Sequence, residues 1–317
     1  MTLSCIRHHL VLFALACATL GLMLAAAPAY PAPAMAAASA GKVTAADNLV
    51  RYLEAEGVTK IFGVPGEETL HIVDAIRRSP KIRFVLSGNE QGASMMASGY
   101  ARATGKMGVA LSTLGPGATN MVTGAANALS ENVKVLFITG QGPVHRPMGY
   151  HQKLDLTQVF KPVTRLSLEA RTGSAVVSTA RKLVRAAHNN PGPVHLSLPA
   201  DVAARQIKAV PGVAVKPARM AAPRAAAVNN AVKLLKAAKS PVIVAGDGVL
   251  QVNADATARA VLAFAKKHGI PVVPSAIAKG MFPWKNSAVL PPMDAFANGK
   301  GSDVVRKSDL IFTVGFH

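Results

Sequence analysis

Cysteine is nearly absent from this chain. The two that occur, Cys5 and Cys17, stand close to the amino terminus, and no thiol follows them. Beyond that point a disulfide framework, cysteine-ligated zinc and a cysteine nucleophile are excluded. Aromatics are scarce too, at 5%, with one Trp and four Tyr. Acidic residues are outnumbered: 16 Asp and Glu face 35 Lys and Arg, for a formal net charge of +19. Such a balance raises nucleic acid as a partner. The basic residues, however, are scattered singly or in pairs, as at Arg77-Arg78, Lys81 and Lys266-Lys267, with few aromatics for stacking. No nucleic-acid partner is therefore expected. A basic surface also attracts anionic small molecules. Neither a P-loop nor a Gly-x-Ser-x-Gly elbow occurs.

What is present is apolar and patterned. Half of the 317 residues are hydrophobic, enough for roughly two packed domains. At the start, Arg7-His8-His9 precedes an apolar run over residues 10–24 and an Ala/Pro stretch ending in Ala38-Ser39-Ala40. This is the order of a secretory signal, with cleavage expected after Ala40 and sites near Ala27 or Ala36 as alternatives. The run falls short of the about 20 apolar residues of a membrane span, so no stable span is expected. An export signal places the protein outside the cytoplasm, in a periplasm; a misassigned start would leave it cytoplasmic.

From residue 44 onward, helix and strand signals alternate. Thr44-Ala45-Ala46-Asp47 reads as a variant capping box with Thr44 as N-cap, and Leu49, Val50 and Leu53 form the apolar stripe of a helix that Gly57 ends. Strands are expected at residues 58–62, 82–86, 109–113, 133–139 and 194–198, and helices at about 68–77, 90–103, 118–130 and 174–187. Residues 133–139 are almost continuously apolar, as in a strand covered on both faces. Residues 140–165 read as a looser segment, and residues 199–223 lose periodicity like a linker. A second series follows, with helices at 226–238 and 254–267, strands at 241–245 and 270–273, and an apolar run at 310–316. The pattern predicts an α/β fold with a doubly wound parallel sheet, followed by an incomplete second α/β domain. Ligands in such sheets bind beyond the carboxyl ends of the strands. Three turns that follow strands should crowd that edge: Gly63-Val64-Pro65-Gly66, the stretch from Ser87 to Glu90, and the tight loop Gly115-Pro116-Gly117.

Taken singly, the motifs there are modest. Gly115-Pro116-Gly117-Ala118-Thr119-Asn120 is a glycine-bearing strand-to-helix turn, but a dinucleotide fingerprint needs Gly or Ala where Asn120 stands. Glu90 opens a helix, where an acid favours the dipole and would also suit a carboxylate aimed at a ligand. Gly246-Asp247-Gly248 reads as an ordinary turn after a strand. His145, His151, His188 and His195 lack metal-ligand spacing, and His195 reads as a packed strand residue, so no metal ligand is assigned.

Their order is more specific. Phe62-Gly63-Val64-Pro65-Gly66-Glu67-Glu68 is followed by Asn89-Glu90-Gln91-Gly92-Ala93, Gly99-Tyr100-Ala101-Arg102-Ala103-Thr104-Gly105-Lys106 and Thr113-Leu114-Gly115-Pro116-Gly117-Ala118-Thr119-Asn120. Then come Ile138-Thr139-Gly140-Gln141, His151-Gln152 with Asp155, Pro191-Gly192-Pro193-Val194 and Leu198-Pro199-Ala200-Asp201-Val202. The series closely resembles the pyrimidine-binding domain of thiamine-diphosphate-dependent enzymes of the acetolactate synthase large subunit type.

The resemblance implies condensation of 2-oxo acids, pyruvate to 2-acetolactate, with other 2-oxo-acid decarboxylases or carboligases and a non-catalytic truncated module as alternatives. Glu90 matches the family's catalytic glutamate, which hydrogen-bonds the aminopyrimidine ring of thiamine diphosphate and promotes its imino form; the cofactor then acts as electron sink. By the same matching, Val64, Pro65 and Gly66 face the pyrimidine, Thr113, Pro116, Gly117 and Asn120 line the same edge, and Gln152 lies near the reacting carbon. Mg2+ would bind through a diphosphate domain that the matched stretch lacks; FAD is allowed by the resemblance but not predicted. The expected partners are a small 2-oxo acid and either a second copy, as homodimer or tetramer, or another chain carrying the diphosphate domain. The expected organisation is a signal over residues 1–40, a pyrimidine-binding domain over 41–205, a linker over 206–225 and a truncated central domain over 226–317.

Overall fold

The computed structural model describes residues 41–216, 222–283, 285–293 and 299–316. The expected signal, residues 1–40, lies outside the described residues.

The first unit is built on a sheet of six parallel strands: β2 (Lys60–Gly63), β3 (Arg83–Leu86), β4 (Gly108–Ser112), β5 (Val135–Gln141), β6 (Leu166–Glu169) and β7 (Val194–Pro199). Their spatial order is β3-β2-β4-β5-β7-β6. Strand side chains alternate between two cores. Ile61, Val109, Leu111, Leu136 and Ile138 pack with α1 (Ala45–Ala55), α2 (Leu70–Arg78) and α7 (Ala175–Asn189) on one face. Phe62, Ala110, Val135 and Phe137 pack on the other with α3 (Glu90–Thr104), α4 (Gly115–Asn120), α5 (Val122–Ser130) and α6 (Leu156–Phe160). Every residue of β4 and β5 is buried, as two covered faces require. The doubly wound α/β fold expected from the pattern is what forms. The Thr44–Asp47 capping box forms as well, each side chain accepting from the other residue's backbone N–H.

The face under α3 leaves little room. A Cβ on Gly108 of β4 would collide with the carbonyl oxygen of Ala97 in α3. On the same sheet His195 of β7 is fully buried, its ring stacked on Phe160 with centroids 4.0 Å apart. Its two ring nitrogens share hydrogen bonds with the Thr139 hydroxyl (2.9 Å) and the Ser167 hydroxyl (2.8 Å). Burial pushes its pKa down to about 3, so the ring is neutral and structural.

Three expectations need correcting. Residues 115–117 are the first turn of α4, where a proline's missing N–H leaves nothing unsatisfied. The helix expected over 118–130 is two, α4 and α5, parted at Met121. Residues 206–216 do not behave as a linker. β8 (Gln206–Lys208) pairs antiparallel with β1 (Lys42–Thr44), and the chain then runs as a strap along α1. Buried Asn48 holds that strap, its amide donating to Lys208 O and accepting from Val210 N, both at 3.0 Å. Glu56 accepts from Val215 N at 2.6 Å.

A second unit has three parallel strands in the order β10-β9-β11: β9 (Pro241–Ala245), β10 (Val272–Pro274) and β11 (Leu310–Val314). α8 (Leu250–His268) packs on one face and α9 (Gly299–Lys307) on the other. Gly246-Asp247-Gly248 is a turn packed on the end of β11, where Gly248 N donates to Gly315 O at 2.9 Å. A side chain at Gly246 would strike that carbonyl, so the glycine serves packing. Among the described residues, no helix is long and apolar enough to cross a membrane.

Candidate active site

The carboxyl ends of β2, β3, β4 and β5 bring the sequence-predicted residues to one edge. Asn89 caps α3, accepting from Gly92 N at 2.6 Å, which places Glu90 in the first helical turn, half-exposed. One carboxylate oxygen of Glu90 accepts from the Asn120 amide at 3.0 Å. The other faces Gly117: a Cβ there would sit 3.1 Å from it and 2.9 Å from the Thr113 methyl. Thr113 is pressed against Gly66, where a Cβ would lie 2.6 Å from its hydroxyl oxygen. Gly66, Thr113, Gly117, Glu90 and Asn120 thus form one contiguous group, although 54 positions separate Gly66 from Asn120. Two of its members must be glycine for the others to be this close.

Val64 is half-buried and Pro65 and Pro116 are exposed at the same edge. Val64 N donates to Leu111 O at 3.3 Å, tying that turn to β4. Gln152 reaches the group through its main chain, which lies against Gly115; a Cβ on Gly115 would be 2.7 Å from Gln152 O. Its segment is held from below. The Lys153 ammonium, only 4% exposed, donates to Pro143 O and Arg146 O at 2.7 Å each, and the Gln141 amide donates to Leu154 O at 2.7 Å. His151 and Gln152 both take left-handed backbone angles, φ 37° and 62°. Non-glycine residues pay for that conformation, and such strain gathers at functional edges.

Sequence reasoning assigned no role to Glu68. It is 9% exposed, and it accepts from the Thr113 hydroxyl at 2.5 Å. The only hint in the sequence was its place after Gly66-Glu67. Glu67, Glu68 and His151 also bring one potential ligand atom each within 4.8 Å of one another. Two of the three are exposed and Glu68 already serves Thr113, so no metal is assigned to them.

The edge therefore brings together a half-exposed carboxylate held by Asn120, glycines that leave its neighbourhood bare, and hydroxyl and amide groups beside it. A flat, hydrogen-bonding ring fits such a surface. The family model described as thiamine pyrophosphate enzyme, N-terminal TPP binding domain, matches residues 43–159, and that of the family's central domain matches residues 228–317. The chain belongs to the thiamine pyrophosphate enzymes. Within that family, it is 34% identical over 305 residues to the acetolactate synthase large subunit of Corynebacterium glutamicum, covering 92% of this chain and 48% of that one. It is 35% identical over 285 residues to the glyoxylate carboligase of Escherichia coli O157:H7, covering 86% and 46%. It is 33% identical over 283 residues to the probable acetolactate synthase large subunit of Methanocaldococcus jannaschii, covering 85% and 46%. The chain spans about half the length of the curated relatives it matches.

Proposed function

We propose that this chain supplies the pyrimidine-binding half of a thiamine-diphosphate site that condenses 2-oxo acids, with two molecules of pyruvate joined to 2-acetolactate. The observation that carries the proposal is the Glu90 carboxylate, held by Asn120 over the bare face of Gly117. Bound there, thiamine diphosphate supplies the electron sink for decarboxylation of a 2-oxo acid. Glu90 would donate its carboxyl proton to a ring nitrogen of the aminopyrimidine and accept the hydrogen bond back from that nitrogen once it is protonated. Asn120 fixes the rotamer of that carboxylate. Gly66 and Gly117 admit the ring to close contact, Thr113, fixed by Glu68, keeps the floor between them, and Val64, Pro65 and Pro116 line the edge. Gln152 stands at the mouth as a donor or acceptor for the substrate. The relatives support the reaction class: an acetolactate synthase and a glyoxylate carboligase stand at nearly the same identity, which keeps glyoxylate as the second substrate to test.

The diphosphate and its Mg2+ are proposed to sit on a diphosphate-binding domain outside the matched stretch, supplied in trans by a partner chain. Apolar side chains left in water around Glu90 support this, with Leu86 68%, Met95 37% and Met96 38% exposed. The test is complementation. A full-length acetolactate synthase, inactivated by replacing its own pyrimidine-domain glutamate with glutamine, is mixed with this chain, thiamine diphosphate, Mg2+ and pyruvate. Acetolactate is expected from the mixture and from neither protein alone. Glu90→Gln should lower turnover by about 10²-fold or more, the usual weight of a positioned acid–base group. Turnover by this chain alone would refute the half-site, and turnover that survives Glu90→Gln would refute the role of Glu90. Export belongs to the same proposal: a periplasmic product beginning at Gly41 supports it, and a cytoplasmic, uncleaved one rejects it.

A further inference from the structure

On the face of the sheet opposite α3, the strap and α7 enclose a groove of about 740 Å³. This lies within the range of about 300–1,000 Å³ typical of small-molecule sites. One wall is α7, contributing Val177 and Ser178; the other is Ile207, Val210 and Val213. Val210 is 37% exposed and Val213 54%, so apolar side chains line a space open to water.

The rim is of one charge. Among the described residues, Arg181, Lys182, Arg185 and Lys208 line the groove, and no Asp or Glu does. None of the four is ion-paired among the described residues. Arg181 sits deepest: its guanidinium lies 5.9 Å from the centre of the buried Tyr52 ring and donates to Val213 O at 3.2 Å. Its Nε is buried with no hydrogen-bond partner. Four cations without an acidic partner around one groove favour an anion there. The apolar walls favour a ligand with a hydrocarbon body over a bare inorganic ion. Among the described residues no aromatic side chain lines the groove, so none of them would stack on a base.

We infer that this groove binds a small amphipathic anion, an aliphatic chain of moderate length ending in a carboxylate or phosphate, at a site separate from the Glu90 edge. The head group meets Arg181 and the basic rim, and the chain lies along Val177, Ile207, Val210 and Val213.

The experiment is calorimetric titration of the full chain with octanoate, octyl phosphate, octanol and octylammonium, below micelle-forming concentrations. One saturable site for octanoate or octyl phosphate is expected, and which binds more tightly identifies the head group. Octanol should bind at least tenfold more weakly and octylammonium not at all. The double variant Lys182→Glu/Arg185→Glu changes two exposed side chains and should weaken the anion by tenfold or more. Ser178→Trp fills the groove by bulk and should abolish binding. Thermal unfolding of each variant shows whether the fold is kept, so either one suffices if the other fails to fold. No saturable binding of either anion, equal binding of octylammonium, or affinity unchanged in a folded variant would overturn the inference. Thiamine diphosphate titrated in parallel reads the Glu90 edge separately and should be indifferent to Ser178→Trp.

Discussion

His195 makes the chain sensitive to mild acid, with a sign and size that follow from its burial. Its ring is fully buried, stacked on Phe160 and hydrogen-bonded at both nitrogens, and its pKa falls from 6.5 to about 3. Above pH 6.5 folded and unfolded chains both hold a neutral imidazole, and the group adds no pH dependence. Below it the unfolded chain binds a proton that the folded chain refuses, so stability falls as pH falls. The slope approaches about 1.4 kcal/mol per pH unit and persists to about pH 3, for a ceiling of roughly 5 kcal/mol. That rivals the whole stability of many domains, about 5–15 kcal/mol. His188, half-buried and beside Lys134, is lowered for the same first reason, desolvation, and acts in the same direction. The measurement is therefore a comparison: urea unfolding of the chain and of His195→Gln from pH 7 to 4.5. Glutamine keeps a donor and an acceptor but cannot titrate, so the variant should be less stable at pH 7 and lose stability more slowly toward pH 4.5. The slopes should differ by about one proton. Equal slopes, or an NMR spectrum showing His195 protonated in the folded chain at pH 5, would refute the reasoning.

Two other outcomes test the architecture of each face. Gly117→Ala puts a methyl 2.9 Å from the Thr113 methyl and 3.1 Å from the Glu90 carboxylate. Thiamine diphosphate affinity in the complementation assay should drop by about tenfold or more, while unfolding shifts by no more than about 1–3 kcal/mol, the usual cost of overpacking; unchanged affinity would count against the cradle. Asn48→Ala removes two of the hydrogen bonds that hold the strap, those to Val210 N and Lys208 O. Stability should fall by about 2–3 kcal/mol, and the Val210 amide should exchange with deuterium faster than amides of β5.

The parts of the fold that could be read from the chain are those whose local pattern and final burial agree. Residues 133–139 are apolar because β5 is covered on both faces, and Thr44 and Asp47 cap a helix wherever that helix packs. β6 escaped notice because its alternation, Leu-Ser-Leu-Glu, is only four residues long and sits on an edge strand of half-exposed residues. β8 is three residues long, and its partner lies more than 160 positions away. Nothing local announces such a pairing. At the site, residue-by-residue reading found a carboxylate at a helix start; its company with Gly117 and Asn120 was legible only through resemblance. Glu68 stayed hidden because an acid at a helix start has an ordinary explanation in the dipole. Its burial and its bond to Thr113 are products of tertiary packing.

The tight contact between Gly108 and Ala97 makes α3 a lever. Ala97 is the fulcrum, pinned where β4 offers no side chain to hold the helix off. Glu90 stands seven residues away, roughly 10 Å along the axis at the usual rise. A side chain at position 108 that tilted the helix by about 5° would swing the carboxylate by ~1 Å, a displacement that can cost an enzyme about 10²-fold. Position 108 touches no ligand, yet it is where the aim of Glu90 can be adjusted, and a designer wishing to retune this edge would begin in β4, beneath the middle of the helix.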